Sequence, residues 1–178
     1  SVTGVSLSGG AVSATGTATI TITGAGVPAP APATSFDVSL LGTTVSSGGG
    51  EIKLVGDRMN VASGINSGTG RTMFVPSTVA SRPITLLGAS ETAAMNLSQA
   101  ELDNVTASVI VVGSGASAGG LSIGGALNLS GKNLSLINSG TSSITQSAAA
   151  ITVGGLNVDA GTVTLNTTTN SVGTLSGR

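Results

Sequence analysis

Hydrophobic and polar positions alternate along this chain in very short bursts. An apolar–polar–apolar triplet recurs through the last third, as Leu121-Ser122-Ile123, Leu127-Asn128-Leu129, Leu134-Ser135-Leu136, Ile151-Thr152-Val153, Leu156-Asn157-Val158 and Val163-Thr164-Leu165. Period two marks a β-strand with one buried face, and the Gly, Ser, Thr and Asn between triplets are turn formers. One triplet buries too little to be stable, so the pattern calls for stacking on copies of itself. The spacing recurs: Leu134 to Leu156 is 22 residues, Ile144 to Val163 is 19, Ile151 to Val172 is 21, Ile52 to Met73 is 21 and Met73 to Met95 is 22. These distances predict an all-β parallel β-helix, a β-solenoid with two or three strands in each rung of about 20 residues. A β-sandwich, with short strands and turn signals every 8–12 residues or so, is the alternative fold.

Three segments are expected. Residues 1–26 read as an N-terminal β arm or hairpin, with Val2, Val5 and Leu7 ahead of Gly9-Gly10 and a strict alternation over Thr17–Thr23. Residues 27–34 read as a Pro-Ala linker, because alternating Pro forces an extended polyproline II chain of about 3 Å per residue. Residues 35–178 read as the β-solenoid. The first segment has two readings: a first hairpin of the same domain, or an arm that adds a strand to a neighbour. Ser98-Gln99-Ala100-Glu101 is a capping box and predicts a short helix at about 98–104.

Composition narrows the function. Of 178 residues only 7% are charged and 1% aromatic, while 28 are Gly; a typical chain is about a quarter charged. A hydrophobic content of 39% is too high for an ordinary disordered chain. No apolar run is long enough for a membrane helix, and with neither Tyr nor Trp there is no aromatic girdle for a membrane barrel. Lys53, Arg58, Arg71, Arg82, Lys132 and Arg178 are scattered and the net charge is −1, so no nucleic-acid partner is expected. The absence of an initiator Met and of a signal peptide leads to the expectation of a processed chain or a fragment.

Catalytic chemistry is thinly provided. Without His, Cys or Tyr the usual general base, thiol nucleophile and phenol are missing. The carboxylates are Asp37, Glu51, Asp57, Glu91, Glu101, Asp103 and Asp159. The capping box accounts for Glu101, Asp103 suits a solvated first turn, and Asp57-Arg58 reads as a turn. No enzyme activity, metal or cofactor is expected, since calcium-binding repeats and EF-hand loops are both missing. Thr17, Thr19, Thr21 and Thr23 resemble the threonine rows of ice-binding solenoids, but only Thr167-Thr168-Thr169 offers a second cluster and it does not alternate. Sequons begin at Asn96, Asn104, Asn128, Asn133 and Asn166, a number that a chain so rich in Asn, Ser and Thr also reaches by chance.

Two stretches resemble a known family. The stretch from Arg71 to Val112, with its AELDNVTA block, and the tail over 142–177, ITQ…AITV…GTVTL…NSVGTLSG, are similar to repeat regions of very large secreted proteins of the filamentous haemagglutinin type. That resemblance implies a right-handed parallel β-helix, secretion across a bacterial outer membrane, and adhesive or biofilm-matrix roles. The family's secretion domain with its Asn-Pro-Asn-Gly motif is missing, and the N-terminal segment and Pro-Ala linker fall outside the pattern. The expectation is therefore an extracellular, cell-surface structural or adhesive solenoid that assembles end to end into fibres, with itself or neighbouring repeats as partner and no membrane insertion. An open solenoid end exposes unpaired strand edges, and no charge or Pro guards Val172-Gly173-Thr174-Leu175. Candidate assembly contacts are Ile20, Ile22, Val172 and Leu175. The alternative is a carbohydrate- or receptor-binding segment of a long monomeric adhesin, with host or matrix glycans as partners.

Overall fold

A computed structural model describes residues 3–24, 35–78, 81–88, 93–147 and 149–178. Short alternating segments do become strands. The chain forms β1 (Thr3–Ser8), β2 (Ala11–Ala14) and β3 (Ile20–Thr23), then β4 (Phe36–Leu41), β5 (Thr44–Ser47) and β6 (Ile52–Val55). Next come β7 (Met59–Val61), β8 (Ile65–Asn66), β9 (Arg71–Val75), β10 (Ile84–Leu86) and β11 (Met95–Leu97). Helix α1 (Gln99–Asp103) leads into β12 (Val105–Thr106) and β13 (Val109–Gly113). The remainder is β14 (Leu121–Ile123), β15 (Leu127–Ile137), β16 (Ser143–Gln146), β17 (Ile151–Asp159), β18 (Thr162–Thr164) and β19 (Ser171–Gly177).

All fifteen strand pairings among the described residues are parallel. None is the antiparallel pair from which a sandwich is built. Four sheets result. Sheet I is β1-β4-β7, sheet II is β2-β5-β8-β12, sheet III is β3-β6-β9-β13-β15-β17-β19, and sheet IV is β11-β10-β14-β16-β18. Strands join three of these sheets in chain order. Sheet IV breaks the order, because β10 lies between β11 and β14 although it precedes β11 in sequence.

The expected spacings meet the register unevenly. Leu134 does pair with Leu156 and Ile144 with Val163. Ile52 pairs with Thr72, one position short of Met73, and Val153 rather than Ile151 faces Val172. A slip of one reverses the face a side chain points to, so Met73 is outward. Met73 pairs with Val111 instead of Met95, because β10, β11 and α1 intervene and lengthen the return to sheet III. Leu87, at the turn leaving β10, has φ of +59°, a left-handed backbone that costs an L-residue about 1 kcal/mol or more.

The segment read as an arm or hairpin contributes β1, β2 and β3, which pair with β4, β5 and β6 of the same chain. The linker read at 27–34 lies outside the described residues. One buried core runs through the molecule, from Ile22, Val38 and Leu54 through Phe74, Leu97 and Ile110 to Leu136, Ile151 and Val158. Each such side chain contributes about 1.5–3 kcal/mol from burial, before ordering entropy is subtracted. Tight corners repeat as well. Ser47 Oγ donates to Gly50 O at 2.7 Å and Ser67 Oγ to Gly70 O at 3.1 Å. A Cβ on Gly70 would lie 2.3 Å from Gly50 O, so only glycine lets the two corners stack.

Candidate functional site

The chemistry of this chain is concentrated where its strand ladders are interrupted. Sheet I stops at β7, and there α1 supplies the missing partner. Ser98 caps the helix, and the capping box with Glu101 is complete. Glu101 is buried, and its Oε2 accepts from Ser98 N at 2.8 Å while Oε1 accepts from Val61 N at 3.0 Å. Asn104 Nδ2 donates to Val61 O at 2.9 Å. Two side chains thus take both hydrogen-bonding groups of one edge residue, as a neighbouring strand would. They also line a shallow cavity of about 330 Å³ beside Phe36, where both Glu101 oxygens and Asn104 Nδ2 are already engaged.

Sheet II stops at β12, and Lys132 covers that edge. β15 carries a register irregularity between Leu129 and Asn133, where Gly131 has φ of +76°, a conformation that favours glycine. Lys132 Nζ donates to Val105 O at 2.9 Å and to Leu102 O and Asp103 O at 3.3 Å. The ammonium therefore sits on the carbonyl end of α1 as well as on the edge of β12.

A third charged group holds the bend between β6 and β7. Asp37, fully buried, accepts at Oδ2 from Asp57 N at 2.6 Å and Arg58 N at 3.1 Å. Asp57 accepts from Thr78 N at 2.8 Å and from Thr78 Oγ1. Arg82 donates to Asp57 O at 3.1 Å and Ala94 O at 2.8 Å, and the Arg58 guanidinium lies 6.0 Å from the Phe36 ring centre. These carboxylates accept backbone N–H groups, the chemistry of a structural clamp. Among the described residues no group of three or more acidic side chains is placed to hold a metal, and no helix is long and apolar enough to cross a membrane.

The four expected contact residues all lie in sheet III, at its opposite ends. Ile20 and Ile22 are on β3, paired with Ile52 and Leu54; Ile22 is buried in the core and Ile20 packs against it. Val172 and Leu175 are on β19, paired with Val153 and Leu156. Val172 packs against the core, whereas Leu175 is 69% exposed. Five strands separate β3 from β19, so the two pairs do not meet within one chain. The capping box made Glu101 visible in the sequence as a helix cap. Nothing in the sequence marked its second oxygen, Asn104 or Lys132 as substitutes for a strand, since their targets lie 27 to 43 residues away. Compared with known protein families, curated proteins and solved structures, the chain matches none of them.

Proposed function

We propose that this chain is a parallel β-helix serving as an extracellular structural or adhesive element of a bacterial surface, extended end to end into a fibre. The observation that carries the reading is the end of sheet III. Leu175 stands on Leu156 with 69% of its surface exposed, on a strand whose outer row of N–H and C=O groups points away from the sheet. A column of paired residues runs Ile20, Ile52, Thr72, Ile110, Leu134, Leu156, Leu175. Continuing it sets Ile20 of the next copy opposite Leu175, in parallel like every other pair. Such head-to-tail contact does not close on itself and generates a filament. Strands β1 to β3 stay on their own chain, where Ile22 is buried, and offer only their outer edges.

A second reading is a carbohydrate-binding segment. It is favoured by a groove of about 300 Å³ on sheet III, lined by Asn133, Asn157, Thr174 and Ser176 around the notch at Gly155. Electron microscopy of the purified chain across a concentration series separates the two. Filaments that lengthen with concentration, with strands about 4.8 Å apart along the axis, support fibre growth. Monodisperse short rods that bind on a glycan array support the adhesin segment.

A further inference from the structure

The buried core opens at both ends of the strand ladders, and not in sheet III alone. On β1, Val5 and Leu7 pair with buried Val38 and Leu40, yet both are only half-buried themselves. On β18, Val163 pairs with buried Ile144 but is 36% exposed, and Leu165 just beyond it packs half-buried against the core. Paired neighbours in a sheet point to the same face. These four side chains therefore face inward and lack cover only where a further strand would lie. Sheets I and IV share one side of the molecule. Arg82 donates to Asp57 O and Ala94 O, which ties the start of β7, at the edge of sheet I, to the start of β11, at the edge of sheet IV. β7 and β11 also lie in contact. That side begins with β1 and ends with β18, as sheet III begins with β3 and ends with β19.

We infer that β18 is a second strand-pairing site, which takes β1 of the next copy. The inference rests on the end-to-end reading above and extends that contact from one sheet to two. Once Ile20 of the next copy stands opposite Leu175, its β1 is carried to the β18 side, because β4 and β6 hold β1 and β3 in one body. The two strands are complementary. One reads Gly4-Val5-Ser6-Leu7 and the other Thr162-Val163-Thr164-Leu165, the same alternation in the same phase. In parallel register Val5 and Leu7 meet Val163 and Leu165 on the inside, and Ser6 meets Thr164 on the outside. The outward row Thr85, Ser122, Thr145, Thr164 of sheet IV then runs on into Ser6 and Ser39 of sheet I. A slip of one position would turn Val5 and Leu7 outward, so the alternation fixes the register. Neither strand holds the charge or Pro with which exposed edges avoid partners.

Disulfide trapping tests it, because the chain contains no Cys. Ser6, Thr164, Thr21 and Ser176 are all exposed, so replacing them leaves the core intact. Ser6→Cys with Thr164→Cys should give, on mild oxidation, a ladder of covalent dimers, trimers and longer species on non-reducing gels. Directly paired strands bring Cα atoms within the disulfide range of about 4.4–6.8 Å. Thr21→Cys with Ser176→Cys reports on the sheet III contact in the same way. Ser6→Cys with Ser122→Cys, two strands further in, should give no ladder. In the Cys-free chain, Val163→Asp sets a charge in the β1 contact and should shorten filaments in electron micrographs, with circular dichroism as the check on folding. The inference is overturned, and the sheet III contact kept, if the Thr21/Ser176 pair links while the Ser6/Thr164 pair does not. Folded Val163→Asp filaments as long as the parent's also overturn it. If neither pair links and no filaments form, the end-to-end reading falls and the inference with it.

Discussion

Up to β9 the chain lays down three strands for each return to sheet III; from β14 it lays down two. The difference lies in the corners. In the first region β4, β5 and β6 belong to three separate sheets, and the bend that follows them is clamped by buried charge: Asp37 on two backbone N–H groups, Arg58 against Phe36. In the second region β15 and β17 run through the bend as strands of eleven and nine residues, charge is confined to Lys132 and the Arg178–Asp159 pair, and neutral groups hold the turns on either side of β16. Asn138 Nδ2 donates to Ser143 O at 3.2 Å, and Gln146 and Asn170 exchange amide hydrogen bonds at 2.6 and 2.9 Å. The apolar columns are alike in both regions. What decides the course of the backbone is which polar groups meet it where a strand stops.

The widest separation between the two regions should come from deleting one corner in each. Asp37→Ala leaves two buried N–H groups without their acceptor and removes a negative charge beside buried Arg58, so a loss of about 3 kcal/mol is expected. Asn138→Ala, in a neutral corner, should cost about half as much. Urea denaturation followed by circular dichroism reads both. Equal losses would mean that charge is incidental to the first region.

The junction between the regions comes next in size. Glu101→Ala removes acceptors from Val61 N and Ser98 N together and should cost about 2 kcal/mol, while Glu101→Gln, which keeps one carbonyl oxygen, should recover part of it. Hydrogen exchange at the Val61 amide gives the sharper readout. It should speed up in Glu101→Ala, and an unchanged rate would show that α1 does not stand in for a strand. Lys132→Met keeps the aliphatic stem and loses three hydrogen bonds from a partly exposed ammonium, so about 1 kcal/mol is expected by the same denaturation.

Much of this was legible in the sequence, and the boundary of legibility has a physical cause. Triplets such as Leu134-Ser135-Leu136 declare their buried face by alternation, and where β15, β17 and β19 follow one another at near-constant spacing the partners Leu134 and Leu156 could be paired by counting. The same counting put Met73 opposite Met95, because nothing local announces that β10 and β11 leave sheet III and return. The capping box at Ser98 and Glu101 is a four-residue signal and was readable. The reach of Glu101 to Val61 and of Lys132 to Val105 depends on which strands happen to lie alongside, which no local pattern encodes. The outward direction of Met73 was hidden for a related reason. Met73 looks like a core residue until the register, with Thr72 facing Ile52, sets it on the outer side of the sheet.

The smallest expected change in stability, and the largest contrast with Asp37, belongs to Leu175. It is 69% exposed on the last strand of sheet III, so Leu175→Asp gives up little burial within the chain, and surface substitutions of this kind stay within about 0.5 kcal/mol. Its effect on assembly should be of another order. A carboxylate placed opposite Ile20 of the next copy would be buried without a partner in every head-to-tail contact, and charges of this kind are how natural strands keep their edges from pairing. Filament length by electron microscopy should collapse while the urea midpoint hardly moves. Thr21→Asp on β3 makes the converse test, since Thr21 is outward and exposed; it should leave both length and midpoint close to those of the parent. If Leu175→Asp filaments were as long as the parent's, growth would not run through sheet III.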